Sequence, residues 1–385
     1  MKKIFVFSAG RSDYDRYLPI LNKLHHSSRA AVYLVLSSAH YASKFGRTVN
    51  FIDKKFKIIK PKKINKLYKD KPSYLIKRFA EDLLFFSKSI EKYKPDILIV
   101  LGDRLEMLTA PIISIPNNIP IVHFYGGAVT EGAVDELIRH AITKLSHYHF
   151  VALDIYKKRL IQLGEESWRI KVSGMHSVNF LKLMNKIKIN ELSKIIGINL
   201  KEPYLLLTFH PATIEKNQTK RQISEILKAI KKTKINTVVT YPNADSGHNF
   251  IIRMLLKKLK NKKKYSIIKN CGSRVYSSLM KNCLAMIGNS SSGIVESASF
   301  GVPAINIGTR QDGKFKPKNI INCGYSWKDI YNKILKIQNK RITKNFKNLK
   351  NPYEGKVSLN EIISTILKLK KNDKLLRKKF INMEK

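Results

Sequence analysis

Short apolar runs alternate with longer amphipathic segments along most of the chain. The runs IFVFSAG (4–10) and DILIVLGD (96–103) have strand length and end in glycine or a charged residue. The segment SYLIKRFAEDLLFFSKSIEKYK (73–94) instead repeats its apolar residues with helical spacing, which indicates one buried helical face. Strands that alternate with helices predict parallel sheets joined by crossover helices, and therefore an α/β fold.

The first half holds enough of these elements for one doubly wound, Rossmann-like domain, which we place at residues 1–175. Its predicted strands are 4–10, 31–39, 96–103, 119–124, 149–153 and 170–174. Its predicted helices are 13–25, 73–94, 104–115, a segment that begins near Asp135, and 154–163. Because helical segments separate most consecutive strands, we expect a parallel sheet with helices on both faces.

The same alternation starts again after a hinge-like segment near residues 175–200. Apolar runs follow at 204–211, 236–243, 265–272, 284–292 and 302–309. We therefore predict a second Rossmann-like domain over residues 176–365 and a cleft between the two domains. Apolar spacing predicts helices in 326–338 and 360–372, and residues 366–385 are expected to form a basic tail that is helical or disordered.

The composition is that of an ordinary globular protein, with 43% hydrophobic and 26% charged residues among 385. The three cysteines lack CxxC or metal-ligand spacing, so we expect no disulfide framework, no zinc site and a reducing compartment. No apolar run reaches the roughly 20 residues that a membrane-spanning helix needs, and the N terminus lacks a signal-peptide pattern. We therefore expect a cytoplasmic protein without membrane insertion.

The formal net charge of +45 is extreme, and it comes mostly from lysines spread along the whole chain. Nucleic acid or an anionic membrane surface would attract such a charge. No DNA- or RNA-binding motif accompanies it, however. We therefore favour solvated surface lysines and expect no specific nucleic-acid partner.

Polar residues follow most of the predicted strands, at the carboxyl ends where open α/β sheets bind their ligands. In chain order they are Gly10, Arg11, Asp13, Tyr14, Asp103, Arg104, His123, His210, Asn243, Asp245, Asn289, Ser290, Ser291 and Glu296. Each of them alone has an ordinary explanation, such as a helix cap or a surface ion pair. Their accumulation along one edge of the sheets indicates an enzyme that acts on an anionic, nucleotide-like substrate.

The segment GNSSSG (288–293) joins a predicted strand to a predicted helix. Its hydroxyls and backbone N–H groups at a positive helix end suit a phosphate or pyrophosphate. Glu296 would then accept hydrogen bonds from ribose hydroxyls. The alternative is a serine that only caps the helix.

The stretch HFYGGAVTEGAVDELIRHAITKLSHYH (123–149) carries the highest density of ionisable groups. It leaves a strand, passes a glycine pair and an acidic loop, and enters a helix near Asp135. Asp135 and Arg139, like Glu136 and His140, are four residues apart and are expected to be neighbours on one helical face.

Six segments together resemble the hydrolysing UDP-N-acetylglucosamine 2-epimerases, and in particular those of the sialic- and legionaminic-acid pathways. They are GRSDY (10–14), VLGDRLEMLTA (100–110), GGAVTEGAVDELIRHAITKLSHYHF (126–150), FHPAT (209–213), YPNADSG (241–247) and GNSSSGIVESASFGVPAINIGTRQDG (288–313). The resemblance implies a two-domain GT-B fold and the release of UDP with inversion at C2, through elimination to a glycal and addition of water. It also implies a homodimer that needs neither a metal nor a redox cofactor.

The resemblance also implies roles for individual residues. The acid/base set would be Asp103, Asp135, Glu131 and His123, and the diphosphate and leaving group would be handled by His210 and Arg11. The remaining contacts to the UDP-sugar would come from Gly10, Arg104, Asn243, Tyr276 (stacked on uracil), Asn289, Ser290, Ser291, Glu296 (on the ribose) and Arg310.

The chain departs from the family pattern at the glycine pair. Relatives carry a glutamate after it and often His or Glu before it, where this chain has Ala128 and Tyr125. His176 also stands in a segment that differs from the usual one. Two alternatives to the epimerase therefore stay open: a GT-B glycosyltransferase that uses the same nucleotide pocket, and a nucleotide-sugar binder without catalysis.

Overall fold

Thirteen parallel strands form two sheets in the computed structural model, which describes residues 1–42, 47–61, 72–243, 245–339 and 345–381, except for the side chains of Arg11, Pro72 and Lys216. The strands are β1 (Lys2–Ser8), β2 (Ala30–Leu36), β3 (Lys57–Ile59), β4 (Ile97–Leu101), β5 (Ile121–Phe124), β6 (Tyr148–Val151), β7 (Ile170–Val172), β8 (Tyr204–Thr208), β9 (Asn236–Thr240), β10 (Tyr265–Ile268), β11 (Ala285–Gly288), β12 (Ala304–Ile307) and β13 (Ile320–Cys323).

The α-helices of the described residues lie between and after these strands. They are α1 (Arg11–His25), α2 (Pro72–Tyr93), α3 (Thr109–Ser114), α4 (Asp135–Leu145), α5 (Asp154–Gln162), α6 (His176–Leu183), α7 (Ile189–Ile196), α8 (Thr219–Thr233), α9 (His248–Leu259), α10 (Gly272–Asn282), α11 (Ser291–Val295), α12 (Trp327–Gln338), α13 (Leu359–Lys368) and α14 (Asp373–Leu376).

The first sheet has the strand order β3-β2-β1-β4-β5-β6-β7, and the second has β10-β9-β8-β11-β12-β13. In both sheets the order reverses beside the first strand, between β1 and β4 and between β8 and β11. Ligands bind at such switch points because the helices diverge there and leave a crevice. The predicted α/β architecture of two doubly wound sheets is therefore confirmed.

The central strands are apolar on both sides because helices cover both faces of each sheet. All five residues of β4 are buried, as are all five of β8. Two strands were missed by the sequence prediction. Two of the three residues of β3 are exposed and only one residue of β13 is buried, so neither edge strand shows the continuous apolar run that marks the central ones.

Two helices pack on the first sheet although they lie beyond residue 175. Val178 of α6 and Ile362 and Ile366 of α13 are part of the first sheet's apolar core, and both helices contact α1. The segment predicted as a hinge near 175–200 thus holds two helices, α6 and α7. We propose that α6 and α13 belong to the first domain, in place of the boundaries at 175 and 365, because each buries its apolar face there.

The basic C-terminal segment is tied to the first domain. The buried Arg169 guanidinium donates hydrogen bonds to the carbonyl oxygens of Leu375 at 2.7 Å and Arg377 at 2.9 Å. The Lys378 ammonium donates to the Ser146 carbonyl at the end of α4 at 2.7 Å and to Glu165. A cation at a helix C terminus is stabilising, so the end of the described chain holds the helix that begins with Asp135.

None of the described helices is long and apolar enough to cross a bilayer.

Candidate active site

The carboxyl ends of both sheets border two adjoining cavities in the cleft. The serine-loop cavity is lined by His210, Asn243, Tyr276, Ser290, Ser291, Ser292 and Glu296, among others. The carboxylate cavity is lined by Asp13, Asp103, Arg104, Asp135, Asp245, Arg310 and Lys314, among others. Ser12, Arg16, Asn243, Ser291 and Arg310 line both cavities, so the two are parts of one site.

Several hydrogen bonds join the two walls of the cleft directly. Arg16 of α1 donates from Nη2 to Ser291 Oγ at 3.1 Å. On the opposite side of the carboxylate cavity, the Glu131 N–H donates to the Asp312 carbonyl at 3.1 Å. The Val134 N–H donates to Thr213 Oγ1, also at 3.1 Å. The cleft is therefore closed enough for side chains of both domains to act on one ligand.

Asp103 is held at the end of β4 by a fully buried arginine. Arg139 Nε donates to Asp103 Oδ2 at 3.1 Å, and its Nη2 contacts the same oxygen. Burial raises the pKa of Asp103, but the charge and hydrogen bonds of Arg139, together with the charges of Lys314 and Arg16, outweigh burial and lower that pKa to about 2. Asp103 is thus an ionised group of fixed position.

Arg139 also holds the acidic loop, which is the segment 128–134 between the glycine pair and α4. It donates to Glu136 Oε2 at 2.5 Å, to the Ala128 carbonyl at 2.6 Å and to Thr130 Oγ1 at 2.8 Å. Helix α4 carries Asp135 and Arg139 four residues apart, as expected, while the ion pairs of Arg139 are with Asp103 and Glu136. The expected contact between Glu136 and His140 does form, at 3.1 Å.

Asp135 stands in the first turn of α4 and faces the carboxylate cavity. Burial raises its pKa to about 6, and the charges of Asp103 and Asp245 add to this effect against the opposing charges of Arg310 and Arg104. With pKa values of about 2 and about 6, both carboxyl groups are mostly ionised at neutral pH, and Asp135 is the stronger base of the two, which suits proton abstraction.

The predicted cations Arg104 and Arg310 lie on either side of Asp245. Arg104 Nη1 is 4.0 Å from Asp245 Oδ1, and Arg310 Nη2 is 3.7 Å from Oδ2. Behind them, Glu106 is 3.5 Å from Arg104 Nε and 3.2 Å from Arg78 Nη2. A chain of alternating charges therefore fixes both guanidinium groups at the cleft.

His210 is positioned by Asn289 and Asn243. Asn289 Oδ1 accepts from the His210 N–H at 2.7 Å, and Asn289 Nδ2 donates to the His210 carbonyl at 2.8 Å. The Asn243 N–H donates to His210 Nδ1 at 3.1 Å, which leaves Nε2 as the protonated nitrogen of the neutral ring. Asn289 thus supports the backbone of the site, whereas His210 and Asn243 line the cavity.

The serine loop has the geometry expected of a phosphate site. Ser290 is the N-cap of α11 and accepts from the Ser292 N–H. Tyr276 Oη lies 2.7 Å from Ser292 Oγ, so its ring borders the cavity in a fixed position. Burial raises the pKa of the nearby Glu296, and the charge of Arg16 opposes that shift.

Three further predicted residues, His123, Glu131 and Gly10, line neither cavity. His123 is buried within the sheet, where Nε2 bonds to the Gly102 carbonyl at 2.9 Å and Nδ1 lies 3.3 Å from Thr143 Oγ1. Burial lowers the pKa of His123 to about 3, so it supports the Asp103 turn as a neutral ring. The Glu131 side chain is exposed. Gly10 caps α1 through its backbone, and the Arg11 side chain lies outside the described residues.

The sequence prediction missed two cationic residues that line the cavities, Arg16 and Lys314. Arg16 lies four residues after Ser12 on α1, so helical spacing from the strand end would have indicated it. Lys314 lies in a loop and carries no periodic signal. His176, whose place in the sequence pattern was unexplained, bonds through Nε2 to the Val357 carbonyl at 2.5 Å and thereby ties α6 to the segment before α13.

Among the described residues, no group of three or more His, Cys, Asp or Glu residues has the arrangement to hold a metal ion.

Comparisons with known proteins identify the family. Residues 22–367 match the family described as UDP-N-acetylglucosamine 2-epimerase. The hydrolysing GDP/UDP-N,N'-diacetylbacillosamine 2-epimerase of Campylobacter jejuni is 38% identical over 99% of both chains. The hydrolysing UDP-N,N'-diacetylbacillosamine 2-epimerase of Legionella pneumophila is 32% identical over 88% of this chain and 90% of its own.

Among solved structures, UDP-GlcNAc 2-epimerase from Neisseria meningitidis bound to UDP-GlcNAc is similar with a TM-score of 0.78 at 18% identity, over 96% of this chain and 100% of that chain. This likeness confirms the predicted GT-B fold. Because the family match spans most of the chain and two relatives are 38% and 32% identical, the chain belongs to the UDP-N-acetylglucosamine 2-epimerase family.

Proposed function

We propose that this protein is a hydrolysing 2-epimerase that converts a UDP-activated 2-acetamido sugar to UDP and the free C2-inverted sugar, for the synthesis of nonulosonic acids or surface polysaccharides. The observation that carries this proposal is the pair Asp103 and Asp135, which face one cavity with pKa values of about 2 and about 6. That cavity adjoins a serine loop at a helix N terminus. Epimerisation through elimination needs a group that takes up a proton beside a site that stabilises the departing diphosphate.

The two cavities divide the substrate between them in this proposal. UDP occupies the serine-loop cavity, with its diphosphate at Ser290, Ser291 and Arg16 and its ribose at Glu296. Tyr276 borders the same cavity and offers its ring to the uracil, while His210 Nε2–H serves the leaving group. The amino sugar then lies in the carboxylate cavity, between Asp103 and Asp135 on one wall and Arg310 on the other.

The first half of the reaction follows from the charge states. Asp135 accepts the C2 proton as a carboxylate, the C1–C2 double bond forms, and the C1–O bond breaks with its electrons leaving on UDP. Asp103 is a weaker base because Arg139 stabilises its ionised form. The cations Arg16, Arg104 and Arg310 stabilise the negative charge that develops on the diphosphate.

An assay of UDP release tests this function. Purified protein would be given UDP-N,N'-diacetylbacillosamine, its GDP counterpart and UDP-N-acetylglucosamine, and the sugar product would be analysed for deuterium at C2 in heavy water. We expect release of the nucleoside diphosphate, UDP or GDP according to the substrate, and deuterium incorporation, with the diacetamido sugar preferred because both hydrolysing relatives above are named for it. Absence of both signals with all three substrates contradicts the proposal.

This assay, extended by an added acceptor and by calorimetry, separates the epimerase from the two alternatives, a glycosyltransferase and a binder without catalysis. A glycosyltransferase would extend an added acceptor and yield no free sugar of inverted configuration. A binder without catalysis would give UDP binding by calorimetry and no turnover, with turnover gained in Ala128→Glu. Ala128 packs against the first sheet's core, and its carbonyl accepts from Arg139, so the loop keeps its anchor without the glutamate.

The pH dependence provides a prediction about Asp135. Since Asp135 acts as the ionised base and its raised pKa is about 6, kcat/KM is expected to rise with pH through about 6. Stopped assays of UDP release between pH 4.5 and 7 in roughly half-unit steps would measure this limb. Activity that stays constant or falls over this range would contradict the assignment.

We also propose a homodimer in the cytoplasm. Ile76 and Leu84 of α2 are 60% and 67% exposed, and Ile112 and Ile115 extend the apolar surface at the adjoining α3. Cys283 and Cys323 are buried thiols, which supports a reducing compartment. Leu84→Glu is expected to shift the mass measured by light scattering from dimer to monomer, whereas Lys232→Glu at an exposed position of α8, away from this surface, is expected to leave it unchanged. A monomeric wild type contradicts this proposal.

A further inference from the structure

Lys314 is a lysine that lines the carboxylate cavity together with Asp103 and Asp135. It lies in the loop after β12, on the wall that faces Asp135 and α4. Its ammonium donates to Gln311 Oε1 at 3.3 Å, and Gln311 Nε2 donates to the Asn289 carbonyl at 3.0 Å. The side chain is therefore anchored to the same asparagine that positions His210.

The backbone of this loop is fitted to the acidic loop across the cleft. Gly313 has a φ of +75°, and a Cβ atom there would lie 2.1 Å from Val129 Cγ1. Only glycine permits this approach. Together with the bond from the Glu131 N–H to the Asp312 carbonyl, the contact fixes the entry of Lys314 into the cavity.

Inversion at C2 needs a proton to leave one face of the sugar and another to arrive on the opposite face. Asp135 serves the first step from α4, so the donor for the second step has to stand on a different wall. Lys314 belongs to the other domain and lines the same cavity, which gives it the required position.

The other ionisable groups that line this cavity are less suited to give up a proton. Asp103 stays ionised beside Arg139, and Asp245 lies between Arg104 and Arg310. Burial raises the pKa of Asp13 to about 6, but this residue is only 4% exposed and its carboxylate accepts from the Ala9 N–H at 3.0 Å, which holds it at the start of α1. The guanidinium groups keep their protons at neutral pH.

The surroundings of Lys314 are those of an amine that can release its proton. Burial lowers its pKa to about 7, and the charges of Arg139, Arg16 and Arg310 act in the same direction against that of Asp103. An acid whose pKa lies near the working pH transfers protons efficiently in both directions.

We propose, on the basis of the epimerase function above, that Lys314 is the catalytic acid that protonates C2 of the glycal intermediate. In this step an N–H bond of Lys314 breaks, the C1–C2 double bond supplies the electrons for the new C2–H bond, and water adds to C1. The proton lost by that water restores the ammonium. Asp135 returns its proton to solvent, and the sum is the UDP-sugar plus water giving free sugar and UDP.

The test compares Lys314→Met and Lys314→Arg with the wild type on the substrate that the wild type turns over. In both variants we expect UDP release in a first turnover to continue, the glycal to accumulate, and free-sugar formation to fall by about 100-fold. The wild-type rate of sugar formation is expected to fall as pH rises through about 7, and both variants are expected to lose this limb. Lys316→Met is the matched control, because Lys316 pairs with Asp312 at 3.5 Å in the same loop and is expected to leave all rates unchanged.

Three outcomes overturn the proposal while leaving the epimerase function intact. Rescue by Lys314→Arg would show that only the positive charge matters. Equal loss of UDP release and of sugar formation would place Lys314 in substrate binding. Unchanged sugar formation in Lys314→Met would exclude it from the reaction, whereas a wild type that releases no UDP would contradict the epimerase function itself.

Discussion

Asp135→Asn is expected to lower kcat by about 1,000-fold, with a much smaller change in the affinity for UDP. The amide has the same shape but cannot accept the C2 proton, so the elimination loses its base. The side chain stands in the first turn of α4 at the carboxylate cavity, and the serine loop that holds UDP is on the other domain. Rates of UDP release under saturating substrate, together with UDP binding by calorimetry, measure the two effects separately.

A matched control for this variant is Asp154→Asn. Asp154 also stands in the first turn of a helix, α5, but its exposed carboxylate pairs only with Lys356 at 2.6 Å among the described residues. We expect its activity to remain within about twofold of the wild type, since surface ion pairs contribute little. If Asp135→Asn retained a tenth of the activity or more, another group would have to be the base.

Arg139→Met is expected to destabilise the fold by about 3–5 kcal/mol, the usual cost of removing one member of a buried ion pair. The side chain is fully buried and bonds to Asp103, Glu136, Thr130 and the Ala128 carbonyl. Without Arg139 the carboxylates of Asp103 and Glu136 would lose the cation that they share, and the acidic loop would lose its hydrogen bonds to the guanidinium group. Urea unfolding followed by circular dichroism measures the loss.

The control is Arg253→Met on α9, where the arginine is exposed and stacks on Phe250. Its free energy of unfolding is expected to change by less than about 0.5 kcal/mol. The double variant Arg139→Met with Asp103→Asn is expected to lose less stability than the sum of the two single changes, because the second change removes the unpaired charge. An additive result would mean that Asp103 is not coupled to Arg139.

Most of the fold followed from hydrophobic periodicity. Strands such as β4 and β8 are buried on both sides, so their sequences are continuous apolar runs bounded by glycine or polar residues. The edge strands β3 and β13 were missed because they are short and partly exposed. The return of α13 to the first sheet was also missed, since periodicity reveals an apolar face but not the partner that covers it.

The candidate site was predicted in part, and the errors have a common cause. Residues that follow a strand end, such as Asp103 and Ser290, were found because the carboxyl edge of a parallel sheet is where the chain leaves the strand. His123 was predicted for the same reason but lies inside β5, one residue before its end, where its ring bonds to the Gly102 carbonyl and lies beside Thr143. Successive side chains of a strand point to opposite faces of the sheet. The position of a residue relative to the strand end therefore decides whether its side chain reaches the cleft or stays in the core.

By itself, the sequence determined the alternation of strands and helices, the polar strand ends, and the segments that resemble one enzyme family. These properties are local, because each depends on residues close together in the chain. Only the tertiary structure decided that Arg139 pairs with Asp103 rather than with Asp135, that Arg16 and Lys314 enter the cleft, and that the C-terminal segment holds α4. Those contacts join residues that are distant in sequence, and charges interact through space, so their partners and pKa values are fixed only when both domains have packed.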